Sequence, residues 1–254
     1  MPITLAHPAA VLPLRRTGLP MTGLVLGSMA PDVPLFLFGA HGMSLTHSWW
    51  SVPTLDTAMA VGAALVWFHW LRDALVAMSP AWVRGRLAPH CVITRRQQVL
   101  TPLAAAVGAA THVIWDSFTH ADRWGVRRIA WLHEWHTIGP RSDWGYHWAQ
   151  FGCGILGMAV VLAAAGLWLR GQAPHRPVQP HRVGPAIQAG VVAVGILAGL
   201  VAAVLYRRHG LELMAVNAVV WSLVVVAVGG IVAAAAWPLV RPERDQRPVE
   251  RQGR

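Results

Sequence analysis

The chain has 254 residues, 55% hydrophobic and only 13% charged, with a mean hydropathy of +0.44, too apolar for an ordinary soluble domain. Its formal charge of +10 comes from 21 arginines and no lysine, scattered between apolar runs and in the tail. No basic patch is interleaved with aromatics, so nucleic acid is excluded as a partner and anionic membrane lipids are the expected one.

In chain order, residues 1–16 are apolar and broken by proline, with His7 their one candidate ligand. The pair Arg15-Arg16 before an apolar stretch has the look of a secretory signal, but Pro31 would obstruct cleavage, so this end reads as retained. The segment 18–40 is a hydrophobic span interrupted at Ala30-Pro31-Asp32-Val33-Pro34, because proline drives its preceding residue out of the helical region. A loop at 41–53 carries Thr46-His47-Ser48-Trp49-Trp50, and 54–77 forms a second span containing Asp56, His69 and the Arg72/Asp73 pair. A basic loop at 79–96 leads into a third span, 97–120. Segment 121–145, with Trp124, Trp131, Trp135, Trp144, Arg127 and Arg128, fits an amphipathic helix lying in the membrane surface.

Runs 148–169, 183–206 and 213–240 contain no Asp, Glu, Arg or His, and each exceeds the roughly 20 residues that cross a bilayer. The expectation is an all-α, multi-pass transmembrane helix bundle of about six spans with one interfacial amphipathic helix. It is organised as a motif-bearing domain over 1–170, two further transmembrane helices over 171–240, and a disordered basic tail over 241–254. With six spans and both termini on one side, that side carries twelve arginines against six, which places the termini in the cytoplasm. Cys91 and Cys153 stand far apart in unlike surroundings and read as unpaired and inert.

The chemistry concentrates in His112-Val-Ile-Trp-Asp116-Ser-Phe-Thr-His120, where three ligand-type residues four apart fall on one helical face. Segment 99–111 before it has no ionisable residue, and burying His and Asp in such a helix costs several kcal/mol unless they are paired or bound. Imidazole and carboxylate at this step are donors that helical zinc motifs use. The plain alternative is helix–helix hydrogen bonding, with Asp116 accepting from a Thr or Trp. Asp32, between prolines, is a further candidate, though a turn-forming aspartate is as ordinary there. His47, flanked by two hydroxyls, could be a supported ligand or an interfacial loop histidine. His133, Glu134 and His136 resemble a zinc-protease helix only superficially, since the histidines are three apart rather than four.

Several elements together resemble a bacterial family of integral membrane proteins, domain of unknown function 4184. They are the opening Met-Pro-Ile-Thr-Leu-Ala-His-Pro-Ala-Ala, Gly27-Ser-Met-Ala-Pro-Asp, Thr-His-Ser, and Thr111-His-Val-Ile-Trp-Asp-Ser-Phe-Thr-His. Gln150 and Gly157 also fit its pattern. That family in turn resembles inner-membrane-associated metal-dependent hydrolases, which are compared with zinc-dependent phospholipases. The resemblance implies His7, Asp32, His47, His112 and Asp116 as a metal set, to which the spacing adds His120. It departs at Val33-Pro34, where the hydrolase motif has a second aspartate.

Two functions follow as expectations. One is a hydrolase of the bacterial inner membrane that uses a divalent metal, zinc first, on a lipid or lipid-linked ester or phosphoester. The other is a non-catalytic scaffold or transporter whose His and Asp are structural; the nearly uncharged last three spans argue against ion-coupled transport.

Overall fold

A computed structural model of the chain describes residues 4–38, 45–174 and 182–240; the expected disordered tail, 241–254, lies outside them. The described residues are helical apart from one two-stranded hairpin. A short helix α1, Met21–Met29, precedes five helices long and apolar enough to cross a membrane. These are α2 (Val52–Met78), α3 (Arg95–Asp116), α4 (Gly145–Gly171), α5 (Val183–Tyr206, continuing to His209 as a tighter turn) and α6 (Leu211–Val240).

Among the described residues, the segment expected as the first of six spans is shorter than the five crossing helices. After α1 come one tight turn, Ala30–Asp32, and a further helical piece, Val33–Phe38. Its apolar stretch, Met21–Phe36, extends about 24 Å at the α-helical rise, less than the ~30 Å hydrocarbon core. Pro31 and Pro34 lie within that stretch and account for its tight turn, since each lacks the N–H that would continue the ladder.

The segment expected as an interfacial helix also takes another form. It folds as two short helices, Trp124–Arg128 and Ala130–His133, followed by an antiparallel hairpin of β1 (Trp135–Ile138) and β2 (Arg141–Trp144). The register pairs Trp135 with Trp144 and Ile138 with Arg141. Gly139 takes a φ of 61° in the two-residue turn, a value that suits glycine and reverses the chain. The tryptophans remain exposed, as interface anchors are.

The chain divides into two compact units, 1–65 with 92–171 and 66–91 with 172–254. In the second, α5 and α6 pack through Gly195 and Gly199 against Ser222 and Val226. Met78, Ala234 and Trp237 close that unit's core, and Gln188 Nε2 donates to the Leu75 carbonyl.

In the first unit, α3 begins with a reciprocal capping box between Thr94 and Gln97. It then meets α1 backbone to backbone. A Cβ on Gly27 would overlap the Ala105 carbonyl, and one on Gly108 would overlap the Leu24 carbonyl. Small residues at such a crossing let two helices approach closely in a membrane, where apolar burial gives no net drive. Around the crossing, Val11 packs with Leu24 and Ala104, Ala30 with Ala60 and Ala105, and Val52 with Ala109 and Val113. Gly157 of α4 leaves room for Ala6. The chain's start, the end of α1, the start of α2 and the last turns of α3 therefore meet at one place.

Candidate metal centre

Each polar side chain at that meeting point is held by its own segment. His112 comes from the penultimate turn of α3 and directs Nδ1 to the Ser28 carbonyl at 2.8 Å. A carbonyl only accepts, so Nδ1 carries the proton and neutral His112 presents a bare Nε2. His47, with φ 61°, places Nδ1 3.1 Å from the Thr46 hydroxyl. That hydroxyl spends its single proton on the Pro31 carbonyl at 2.7 Å, so it accepts from His47 Nδ1–H, and His47 Nε2 is bare too. Asp32 sits in the tight turn after α1, its Oδ2 accepting from Thr4 Oγ1 at 2.7 Å. Asp116 ends α3, one turn beyond His112.

The free atoms converge. His47 Nε2 and His112 Nε2 are 3.2 Å apart. Asp32 Oδ1 lies 3.3 Å from the first and 3.5 Å from the second. Asp116 Oδ2 lies 3.3 Å from both. All four residues are buried and form the one group of three or more potential ligands found among the described residues. Asp116 Oδ2 has no hydrogen-bond partner despite these short approaches. A carboxylate oxygen packed this close to two bare imidazole nitrogens without a hydrogen bond is what ligands of a single cation are to one another. The donor set fits a divalent metal ion, which it could hold.

The remaining two candidates lie beside this group. His7 stacks on His112 with ring centroids 3.8 Å apart, and its Nε2 is 3.7 Å from Asp116 Oδ1. Both His7 nitrogens are buried without a hydrogen-bond partner. Burial, and then the neighbouring His112, push its pKa down to about 4. His120 lies beyond the last residue of α3 with Nδ1 3.4 Å from Asp116 Oδ2. Gln150 of α4 donates both amide protons, one to the Thr119 carbonyl at 3.1 Å and one to His120 Nε2 at 3.3 Å. His120 therefore keeps its own proton on Nδ1, which faces the Thr119 hydroxyl at 3.3 Å. Its side chain is 24% exposed, against at most 3% for the four donors.

Without a cation, a proton takes the central place. Burial alone would depress His47, but the Asp116 and Asp32 carboxylates, each 3.3 Å from its Nε2, outweigh it, and its pKa is pushed up to about 9. Proton and metal thus compete for the same nitrogen.

Several supporting groups carry little signal in the sequence. Thr4 precedes His7 by three residues, but nothing in the spacing announces its bond to Asp32. The Ser28 carbonyl and Arg123, whose Nη1 donates to the His47 carbonyl at 2.9 Å, are likewise silent. His133 and His136 instead engage backbone carbonyls, of Val126 and Ile129 and of Trp131.

The family model described as "Domain of unknown function (DUF4184)" matches residues 1–238. The chain belongs to that family. No curated protein and no solved structure matches it. For this DUF4184 chain the match covers all six candidate ligands and all but the last two residues of α6, so the buried His/Asp group lies inside the family region.

Proposed function

We propose that this chain is a divalent-metal-dependent hydrolase of the bacterial inner membrane, acting on a lipid or lipid-linked ester or phosphoester. The observation that supports it is the set of five donor–donor distances of 3.2–3.5 Å among His47, His112, Asp32 and Asp116. A tetrahedron with bonds of about 2.0–2.1 Å has edges of about 3.3–3.4 Å, the geometry of zinc with nitrogen and oxygen ligands. Magnesium in an octahedron would need adjacent donors about 2.9 Å apart and prefers oxygen. Zinc is therefore the proposed cation. At such a site the metal supplies Lewis acidity, polarising an ester or phosphoryl oxygen and activating water near neutral pH.

The chain's own groups then have defined tasks. His47, His112, Asp32 and Asp116 hold the ion, Thr4 and the Ser28 and Pro31 carbonyls orient them, and His120 is fixed beside Asp116 by Gln150 and Thr119. His7, stacked on His112 with its Nε2 3.7 Å from Asp116 Oδ1, is a buried neutral base outside the four donors. The donors sit at one end of α3, beside the exposed Trp49 and Trp50, the depth at which a lipid headgroup meets protein.

The test is metal analysis of detergent-purified protein, with hydrolysis of phospholipid and neutral ester substrates before and after chelation. Wild type should retain zinc and lose hydrolysis on chelation, while His112→Ala should retain none. Absence of retained metal in wild type would end the proposal. A second reading is favoured by the near-complete burial of all four donors: a closed, purely structural metal. It predicts that chelation lowers thermal stability while no ester or phosphoester is turned over at any metal load.

A further inference from the structure

Arg123 stands out among the cations of the first unit. It follows Asp122, one of two described non-glycine residues with positive φ, and it reaches across to the other, His47. Backbone held in this sparsely populated region is strained, and such positions concentrate at functional sites. One guanidinium nitrogen donates to the His47 carbonyl at 2.9 Å. A guanidinium has five N–H donors, so four remain for other acceptors. Among the described residues no carboxylate pairs with it. Arg72 and Arg141, by contrast, are each paired with an aspartate.

Charge counting points the same way. Two carboxylates and one divalent cation with neutral imidazoles sum to zero, so the four-donor centre once occupied offers Arg123 no net negative charge. Arginine's planar fork matches phosphate oxygens, and an unpaired arginine fixed beside a metal centre is an anion receptor.

We infer that Arg123 forms a phosphate-binding subsite beside the His47–His112–Asp32–Asp116 centre, which narrows the substrate class to phosphoesters. The inference rests on the metal-centre reading for its chemistry, while the anion contact itself can be measured separately. The His47 carbonyl anchors one edge of the guanidinium and the other edge takes the phosphoryl oxygens, so substrate and metal ligand share one support.

The experiment uses the full chain in detergent, loaded with zinc, and measures binding of inorganic phosphate and of short-chain phosphatidic acid, with the matching diacylglycerol as blank. Arg123→Gln should weaken binding of both phosphate probes by roughly 10- to 100-fold, the span of a lost charge-assisted bond, with zinc content unchanged. Arg127→Gln, which removes the same charge from an exposed neighbour, should change binding less than about twofold. Arg123→Lys should recover part of the affinity. Phosphatidic acid binding more tightly than phosphate through Arg123 assigns the anion to a lipid headgroup, and equal binding assigns it to phosphate alone. Equal losses in the Arg123 and Arg127 variants, or loss of zinc in Arg123→Gln, would overturn the subsite. Arg123-dependent phosphate binding in protein that takes up no metal would sink the metal reading and leave the anion site standing.

Discussion

Replacing Gly108 by alanine tests whether the helix crossing, and not merely the presence of ligands, makes the centre. The added Cβ would overlap the Leu24 carbonyl and lie 2.8 Å from the Ser28 amide nitrogen, where an ordinary contact is at least 3.4 Å. The backbones must therefore separate by 0.6 Å or more at Ser28. That residue's carbonyl orients His112, and four residues later the same segment carries Asp32. Metal sites tolerate about 0.2 Å in bond length, and functional groups about 0.5 Å in placement. Gly108→Ala should therefore cost about 1–3 kcal/mol of stability by overpacking and weaken zinc binding by at least roughly tenfold. Gly152→Ala and Gly166→Ala on α4, whose added Cβ meets nothing within 4 Å, serve as controls. Competitive zinc titration with a chromophoric chelator, alongside thermal unfolding, reads both effects. Wild-type affinity in Gly108→Ala would refute the argument, because a centre that tolerates such a shift is not set by this crossing.

Chelated protein should be most stable near pH 6.5. His47, raised to about 9, stabilises the fold fully below about 6.5 and loses that contribution as pH rises through 9. His7, lowered to about 4, contributes above about 6.5 and loses it as pH falls toward 4. Each amounts to on the order of 3 kcal/mol, and a flat melting temperature from pH 5 to 9 would contradict both. Asp56, whose Oδ2 accepts from Ser51 Oγ at 2.8 Å, clamps the turn that follows His47. Asp56→Ala and Ser51→Ala should each cost about 1–3 kcal/mol, and the double variant little more than either, as a double-mutant cycle of melting curves will show. Gly199→Ala, whose Cβ would overlap Ser222 Oγ, should destabilise the second unit and leave zinc affinity unchanged in the same titration.

How much of this was legible in the sequence follows from what each signal depends on. The long helices were readable because bilayer thickness sets their length directly, and the runs at 183–206 and 213–240 need no partner to declare themselves. The prolines at 31 and 34 marked the tight turn at Ala30–Asp32, but composition alone did not show that the described apolar stretch there, Met21–Phe36, is shorter than the other five. The hairpin at 135–144 was missed because tryptophans and arginines read alike on an interfacial helix and on a strand pair; Gly139-Pro140 was the available signal. At the centre, the four-residue step from His112 to Asp116 was visible because helical periodicity is local. The same step fails as a guide at His120, because α3 has ended by then. The meeting of Asp32 and His47 with α3 depends on a backbone crossing at Gly27 and Gly108, and no ligand spacing encodes it.

The prolines have a second consequence, which can be tested alone. In the tight turn after α1, a residue's carbonyl is normally met by the N–H three positions on. Pro31 has no N–H to offer Ser28, and Pro34 has none to offer Pro31. Those are the two carbonyls that receive the protons of His112 Nδ1 and Thr46 Oγ1, and the Thr46 hydroxyl orients His47. The prolines of this turn thus withhold one backbone N–H from each of the two carbonyls that turn both imidazoles inward. Pro34→Ala restores an N–H that competes with Thr46 for the Pro31 carbonyl. It should weaken zinc binding roughly 3- to 10-fold, since supporting bonds of this kind carry up to ten- or hundredfold in affinity, while thermal stability of the chelated protein changes by less than about 1 kcal/mol. Thr46→Val removes the same bond from the other side and should match it. If Pro34→Ala binds zinc as wild type does while Thr46→Val does not, the hydroxyl matters for its own sake and the prolines are only helix breakers.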